Sequence, residues 1–370
     1  MDLTRRQFSA SLMLLPASLR CLLQQGQEGP KPMITSPNSP FNKAFDFSTL
    51  ATWITPNSDF FIRSHFAVPD TSRALTIKVR GSVEHELAIT LDTLGRLPAI
   101  EVPVTLECAG NLVGWGGVSN ARWTGVSLAA FLKQAGLLPG SAHVVLLGSD
   151  GGSEREAGGI TVDAFARSIP LAKALEPSTI LATGMNGIPL PAEHGGPVRA
   201  IVPGYYGMDS VKWVKEIFVS REPFRGFYQA SRYYETRRVN GQEVTAELHR
   251  MKIKSQIARP GRGAAIVAGP AVVMGAAWSG ESRISSVRVS VDGGITWQHA
   301  RLGAEDEPSA WRLWSYVWPA SPGRYQVIAR AADERGDEQP LDRDPLITTP
   351  YANNWADRRV ITVHDAGRSK

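Results

Sequence analysis

Beyond residue 250 the chain stops mixing element types and becomes a series of short segments in β-type alternation. That rhythm constrains the fold more than any other feature. Residues 266–273, 284–291, 297–302, 311–317 and 325–331 each read as a strand with one apolar face. Asp292-Gly293-Gly294, between two of them, supplies the glycines that a tight hairpin turn needs. Strands this short and closely spaced predict an immunoglobulin-like β-sandwich over 250–365, with 236–260 as the linker leading into it. Residues 40–240 have a different rhythm. There 74–79, 102–106, 144–147 and 198–202 predict strands, while Leu128–Ala135, preceded by Ser127 as a cap, and 161–168 predict helices. The expectation is α+β: a mixed α/β domain carrying polar motifs on its loops, followed by the sandwich. No repeat of 20–50 residues is present.

The first thirty residues read as an address. Thr4-Arg5-Arg6-Gln7-Phe8 resembles a twin-arginine export motif, and residues 9–19 supply a short apolar core. Export to the periplasm is therefore expected, with no membrane span in the mature form, since no apolar stretch approaches 18 residues. Of the two cysteines, Cys21 lies in this leader, which leaves Cys108 alone in the mature chain and excludes an internal disulfide. A lone cysteine is either a small buried hydrophobe or a thiolate committed to a metal.

The common hydrolytic signatures are missing: there is no H-E-x-x-H, no G-x-S-x-G and no Walker loop. Arg259-Pro260-Gly261-Arg262-Gly263 is glycine-rich but lacks the phosphate-binding lysine, and reads as a surface loop. The seven histidines show no paired metal spacing. The net charge of +5 suits an anionic ligand, but no Lys/Arg run points to nucleic acid.

Four polar clusters remain. Thr105-Leu106-Glu107-Cys108-Ala109-Gly110-Asn111 places the cysteine on a turn directly after a strand, where a rigid element can present its sulfur. Phe60-Phe61-Ile62-Arg63-Ser64-His65 puts arginine and histidine on one face of an extended segment. His194-Gly195-Gly196-Pro197-Val198-Arg199 feeds a strand, and Ser210-Val211-Lys212-Trp213 follows. Arginine, lysine and histidine are what a phosphorylated cofactor needs for charge-assisted hydrogen bonds.

In this order the clusters resemble the sulfite oxidase family of molybdenum enzymes. The resemblance runs from about Phe41 to the chain's end and takes in residues 118–126, 168–171, 185–191, and Val287, Ser290, Asp292, Gly293, Gly294 and Trp297. It implies a molybdopterin-binding domain followed by an immunoglobulin-like dimerisation domain, hence a homodimer. It also implies one molybdenum-molybdopterin per chain and oxygen-atom transfer to a small sulfur oxyanion, with sulfite to sulfate the first candidate. Cys108 matches the thiolate that ligates molybdenum, and Arg63 matches an arginine beside the substrate. Phe61, His65, His194, Arg199, Ser210 and Lys212 match positions that hold the pterin or its phosphate. Tyr233 matches the active-site tyrosine, with Tyr234 a close competitor, and Trp115 matches a pocket-lining tryptophan. The segment Asn353-Asn354-Trp355-Ala356-Asp357-Arg358-Arg359 implies an arginine reaching the pocket, either Arg358 or Arg359. Two departures stand out. Leu112-Val113 occupy the place of an arginine pair that sulfite-oxidising members carry, which leaves sulfane, thiosulfate or sulfoxide chemistry as alternatives beside a non-catalytic dimeric binding protein. In addition, about forty residues precede the molybdenum region and no C-x-x-C-H is present, so no haem is expected in this chain. Electrons would then leave to a separate acceptor such as cytochrome c.

Overall fold

A computed structural model describes residues 42–71, 75–154, 160–365 and 367. The twin-arginine segment, Cys21 and Phe41 lie outside the described residues. The first domain stacks one mixed sheet and one antiparallel sheet. One runs in the order Leu87–Thr90, Thr76–Gly81, Val214–Ser220, His143–Gly148, Ala166–Pro170. The pairing of Thr76–Gly81 with Val214–Ser220 is parallel and its other neighbours are antiparallel. The other sheet has the order Ile188–Pro189, Ile180–Met185, Val118–Ser127, Ile100–Glu107, with Arg199–Ile201 also paired to Ile180–Met185. Pro103 sits in Ile100–Glu107, an edge strand of that sheet, where its missing N–H costs no ladder bond.

The second domain is the expected sandwich. Lys254–Arg259, Gly269–Trp278, Arg312–Ala320 and Arg301–Leu302 form one sheet. Ala265–Val267, Arg358–His364, Gly323–Asp333, Ile284–Ser290 and Gln298–His299 form the other. Ile257, Val273, Val287, Trp314, Trp318, Val327 and Ile361 fill the space between them. The outer face of the first sandwich sheet is not given to water. Trp278, Trp311, Ala258 and Ala276 join the core of the first domain, so the two domains share buried surface. Polar bonds fix the register of that junction. Trp53 and Trp311 exchange indole-to-carbonyl bonds of 2.7 and 2.8 Å, and Thr105 Oγ1 accepts from the Trp311 N–H at 2.7 Å.

Several local expectations are overturned. Residues 161–168 are not helical: Ile160–Val162 pairs with Gly152–Glu154, and Ala166–Pro170 pairs with His143–Gly148. Strand partners outweigh the high helix propensity of Ala164 and Ala166. Leu128–Ala135 is a helix, but Ser127 does not cap it; the carbonyl of Thr179 takes the Leu128 N–H at 2.9 Å instead. The segment 236–260 is no linker, since it holds the hairpin Tyr234–Val239/Gln242–Glu247 and the first sandwich strand. The loop at 259–263 does more than enter the sandwich: Arg262 donates to the Val113 carbonyl at 3.1 Å and to Asp357 at 2.6 Å, tying it to the cysteine loop.

Candidate active site

The cysteine turn is built from the end of Ile100–Glu107. The Cys108 N–H donates to the Gly117 carbonyl and the Asn111 N–H to the Cys108 carbonyl, both at 2.8 Å. Asn111 then locks the loop through its side chain, donating to Glu107 at 2.9 Å and accepting from the Gly117 N–H at 3.0 Å. Glu107 is fully buried, yet it is satisfied by Lys254 and by the Trp278 indole at 2.9 Å, both from the sandwich. Gly116 is obligatory here, because a Cβ would lie 1.7 Å from the Phe45 carbonyl oxygen. Cys108 is half-buried and unbridged. Desolvation pushes its thiol upward, while a backbone bond from Gly110 and the charge of Arg63 oppose that shift.

Cys108 opens into a cleft of about 700 Å³, open to solvent, between the two sheets of the first domain. Phe61, Arg63, His65, His194, Arg199, Ser210, Lys212 and Tyr233 line the same cleft, so the structure brings all nine sequence-selected positions together. They arrive from five separate chain segments. Arg63 is exposed at the opening. Arg199 stands deep and Lys212 is half-buried. The guanidinium of Arg199 is 5% exposed and donates to the carbonyls of His194 at 2.8 Å and Ser210 at 2.7 Å, with its face 5.0 Å from the Trp123 ring. Its Nε is buried without a partner. Lys212 donates to the Ser64 hydroxyl and to the Glu193 carbonyl, over the Trp213 ring. Gly195, at φ 105°, clears space for it, because a Cβ there would lie 2.9 Å from Lys212 Cβ. Neither cation has a carboxylate within ion-pair distance among the described residues. Burial accordingly pulls Arg199 down to about 9 and Lys212 down to about 7.

The two histidines differ from expectation in charge. Burial lowers both His65 and His194 to about 4, so each is neutral at neutral pH and adds no charge to an anion site. His65 instead bridges two groups: Nδ1 lies 3.2 Å from Glu154 and Nε2 lies 2.7 Å from the Tyr233 hydroxyl. A neutral ring facing a carboxylate keeps its proton on Nδ1, so Nε2 accepts from Tyr233. The phenol proton of Tyr233 is thus committed, and a lone pair is left to face the cleft. Tyr233, not Tyr234, lines the cleft; Tyr234 begins the hairpin and pairs with Glu247.

Other expectations fail. Trp115 is 44% exposed and lies away from the cleft lining. Arg358 faces solvent and pairs with Asp342 at 2.8 Å. Arg359 is buried in the sandwich, where Asp357 and the carbonyls of Ile257, Ala258 and Pro260 take its donors. Neither arginine reaches the cleft, because the strand Arg358–His364 belongs to the sandwich sheet. Leu112 and Val113 also stand outside the lining. Conversely, sequence reasoning missed Asp150, Glu193 and Phe165, which line the cleft, and Tyr351, whose ring packs on Tyr233. Asp150 was legible in principle: Gly148-Ser149-Asp150-Gly151-Gly152 is a glycine-rich loop directly after a strand. It is 6% exposed with Oδ1 unpartnered, and burial raises its carboxyl to about 6. Tyr351 carried no such signal.

These residues fit a molybdopterin. The two cations without carboxylate partners and the orphaned Arg199 Nε suit a phosphate, the orphaned Asp150 oxygen suits the N–H donors of a pterin, and the half-buried thiol suits a metal.

Comparison with known proteins agrees. Residues 65–228 match the model of the oxidoreductase molybdopterin binding domain, and residues 245–363 match the Mo-co oxidoreductase dimerisation domain. The chain is 36% identical to mitochondrial sulfite oxidase of Mus musculus, over 82% of this chain and 60% of that one. It is 35% identical to sulfite oxidase of Gallus gallus, over 83% of this chain and 72% of that one. The chain thus spans about three fifths of the length of the mouse relative. A solved structure, the sulfane dehydrogenase SoxCD from Paracoccus pantotrophus, superposes with a TM-score of 0.77 at 27% identity, covering 95% of this chain and 92% of that one. With a thiol and two cations without carboxylate partners at one cleft, and relatives matched through both domains, the chain belongs to the sulfite oxidase family of molybdopterin-dependent oxidoreductases.

Proposed function

We propose that this protein oxidises a small sulfur oxyanion, with sulfite to sulfate the simplest case, and passes the electrons to a separate one-electron acceptor such as a cytochrome c. The observation that carries this reading is the pairing, in one cleft, of the half-buried Cys108 thiol with two cations, buried Arg199 and half-buried Lys212, that lack a carboxylate among the described residues. Arg199, Lys212 and Ser210 would hold the phosphate of the molybdopterin, Asp150 its pterin, and Cys108 the metal. When bound, the group supplies molybdenum for oxygen-atom transfer with two electrons. The chain's own residues do the rest. Arg63 attracts the anionic substrate at the opening. Tyr233 is oriented by His65 and Glu154 so that its oxygen faces the substrate. Phe61, Phe165 and Met208 limit water on the apolar walls.

A second reading, oxidation of a sulfane or thiosulfate-type group, is favoured by the similarity to a sulfane dehydrogenase and by Leu112 and Val113 where sulfite-oxidising members carry arginines. Elemental analysis for molybdenum, followed by a panel of sulfite, thiosulfate and organic sulfoxides with artificial acceptors and donors, tests both. About one molybdenum per chain and oxidation of sulfite or thiosulfate are expected; a metal-free protein from a molybdenum-replete host overturns the proposal. Export by the twin-arginine route and twofold pairing through the sandwich belong to the same proposal. Arg5→Lys with Arg6→Lys should leave the protein in the cytoplasm, and sedimentation should give a dimer at micromolar concentration.

A further inference from the structure

The sandwich closes one side of the cysteine face with Tyr351. Its ring centroid lies 4.8 Å from that of Tyr233. A methyl built on Gly110 would lie 3.8 Å from the Tyr351 ring and 3.9 Å from Cys108 Sγ. The Tyr351 ring and the Cys108 sulfur therefore lie on either side of Gly110. The Ala352 N–H donates to the Ala109 carbonyl at 2.9 Å, and Ala352 adopts φ 57°, so the backbone is held against the cysteine turn while it reverses. Arg232, Cys108 and Arg63 all act electrostatically on the phenol. Tyr351 is 9% exposed, and among the described residues its hydroxyl has no hydrogen-bond partner and is not sealed from solvent. Tyr351 is not itself part of the cleft lining, but a donor that is held rigidly, left unused and packed on the lining residue Tyr233 beside the cysteine turn is positioned for a ligand that reaches past Tyr233.

We propose that Tyr351 is a specificity-determining residue, donating its phenol hydrogen bond to an oxygen of the substrate oxyanion while Arg63 offsets the charge. The inference rests on the sulfur-oxyanion reading for the identity of its ligand. Resemblance had called for an arginine from this same segment; the fold delivers a neutral donor instead. A phenol binds an oxygen without adding charge, so the pocket favours a singly charged sulfur oxyanion bearing a substituent over a doubly charged one.

The test is calorimetric binding of sulfate and methanesulfonate to holoprotein at matched molybdenum content. Tyr351→Phe keeps the ring and removes the hydroxyl. It should weaken both anions by about fivefold to tenfold, the loss of one hydrogen bond. It should also raise the KM of whichever sulfur oxyanion turns over, with kcat changed less than about twofold, since a uniform binding contact is lost. Tyr351→Arg should shift the preference toward sulfate over methanesulfonate by about tenfold. Unchanged affinities in Tyr351→Phe, or an unchanged preference in Tyr351→Arg, overturn the inference. An unmodified holoprotein that turns over no sulfur compound, yet shows these binding shifts, would strike the proposed function and leave the Tyr351 contact standing.

Discussion

Arg167 and Arg199 are buried arginines of the same domain, and their surroundings are opposites. Arg167 is 0% exposed and fully employed: it pairs with Asp209 at 2.8 Å and donates to the carbonyls of Tyr228 at 2.6 Å and Leu248 at 2.7 Å. Asp209 also contacts His249, which in turn contacts Glu247. Every charge in that cluster has an opposite. Arg199 has carbonyls, an orphaned Nε and a neighbouring lysine. A buried ion pair removed at one end leaves an uncompensated charge, whereas a buried cation with no partner already bears that cost. The first arrangement completes a fold; the second waits for an anion.

Four experiments separate a cation that serves the fold from one that serves a ligand. The largest effect belongs to Arg199→Leu combined with Lys212→Met. Each loses a charge-assisted bond of about 1.5–3 kcal/mol to a phosphate, so cofactor retention should fall by roughly two decades or more, read as molybdenum content after gel filtration. The cofactor-free double variant should nonetheless unfold no earlier in urea than cofactor-free unmodified protein. Earlier unfolding would mean that these cations serve the fold.

Next comes Arg167→Leu, which strands Asp209 in the core. A destabilisation of about 3–5 kcal/mol is expected, read from urea denaturation of the cofactor-free protein. A loss below about 1 kcal/mol would remove the contrast between the two arginines.

The third experiment uses the opposite pH signatures of the two regions. Asp209 and Glu247 hold His249 up to about 9, against 6.5 for a free imidazole. Its stabilisation is therefore whole below about pH 6.5 and fades as the pH rises through 9. Burial holds Lys212 down to about 7 against 10.5 when unfolded. The unfolded chain thus binds the extra proton between these values, and stability from this group rises with pH across that window. The stability gap between unmodified protein and His249→Gln should narrow from pH 7 to 9. Lys212→Met should be the more stable protein at pH 7 and lose that advantage toward pH 10. Gaps that stay constant with pH would contradict both assignments.

The smallest effect concerns the junction. Trp278→Phe removes the indole donor to Glu107 and keeps most of the packing. A loss of about 1–2 kcal/mol is expected for a buried acceptor deprived of one bond, measured by thermal unfolding. No change would mean that Lys254 and Asn111 satisfy Glu107 alone.

Much of the architecture was legible from residue order. Alternation and the Asp292-Gly293-Gly294 turn gave away the sandwich because strand period and turn chemistry are local properties. Leu128–Ala135 announced itself by its 3.6-residue rhythm. The misreading of 161–168 came from non-local pairing: Ala166–Pro170 is a strand because His143–Gly148 lies beside it. The nine cleft residues were selected through motif order, and their convergence is a property of the two stacked sheets. The charge states of His65 and His194 depended on burial, which no motif spells out.

Sequence alone determined the type of chemistry available: one thiol beyond the first thirty residues, a few cations in motifs, and two rhythms that demand two domains. Tertiary structure decided which cations would be left without partners. Arg167 and Arg199 are the same residue type in strands of the domain's two different sheets, and only packing placed Asp209 against one and open cleft against the other. It also decided that Arg358 and Arg359 would be spent on the sandwich, while Tyr351 came to stand by the cysteine. The sandwich strand fixes where that segment points, and burial then fixes which of its side chains can remain unpaired.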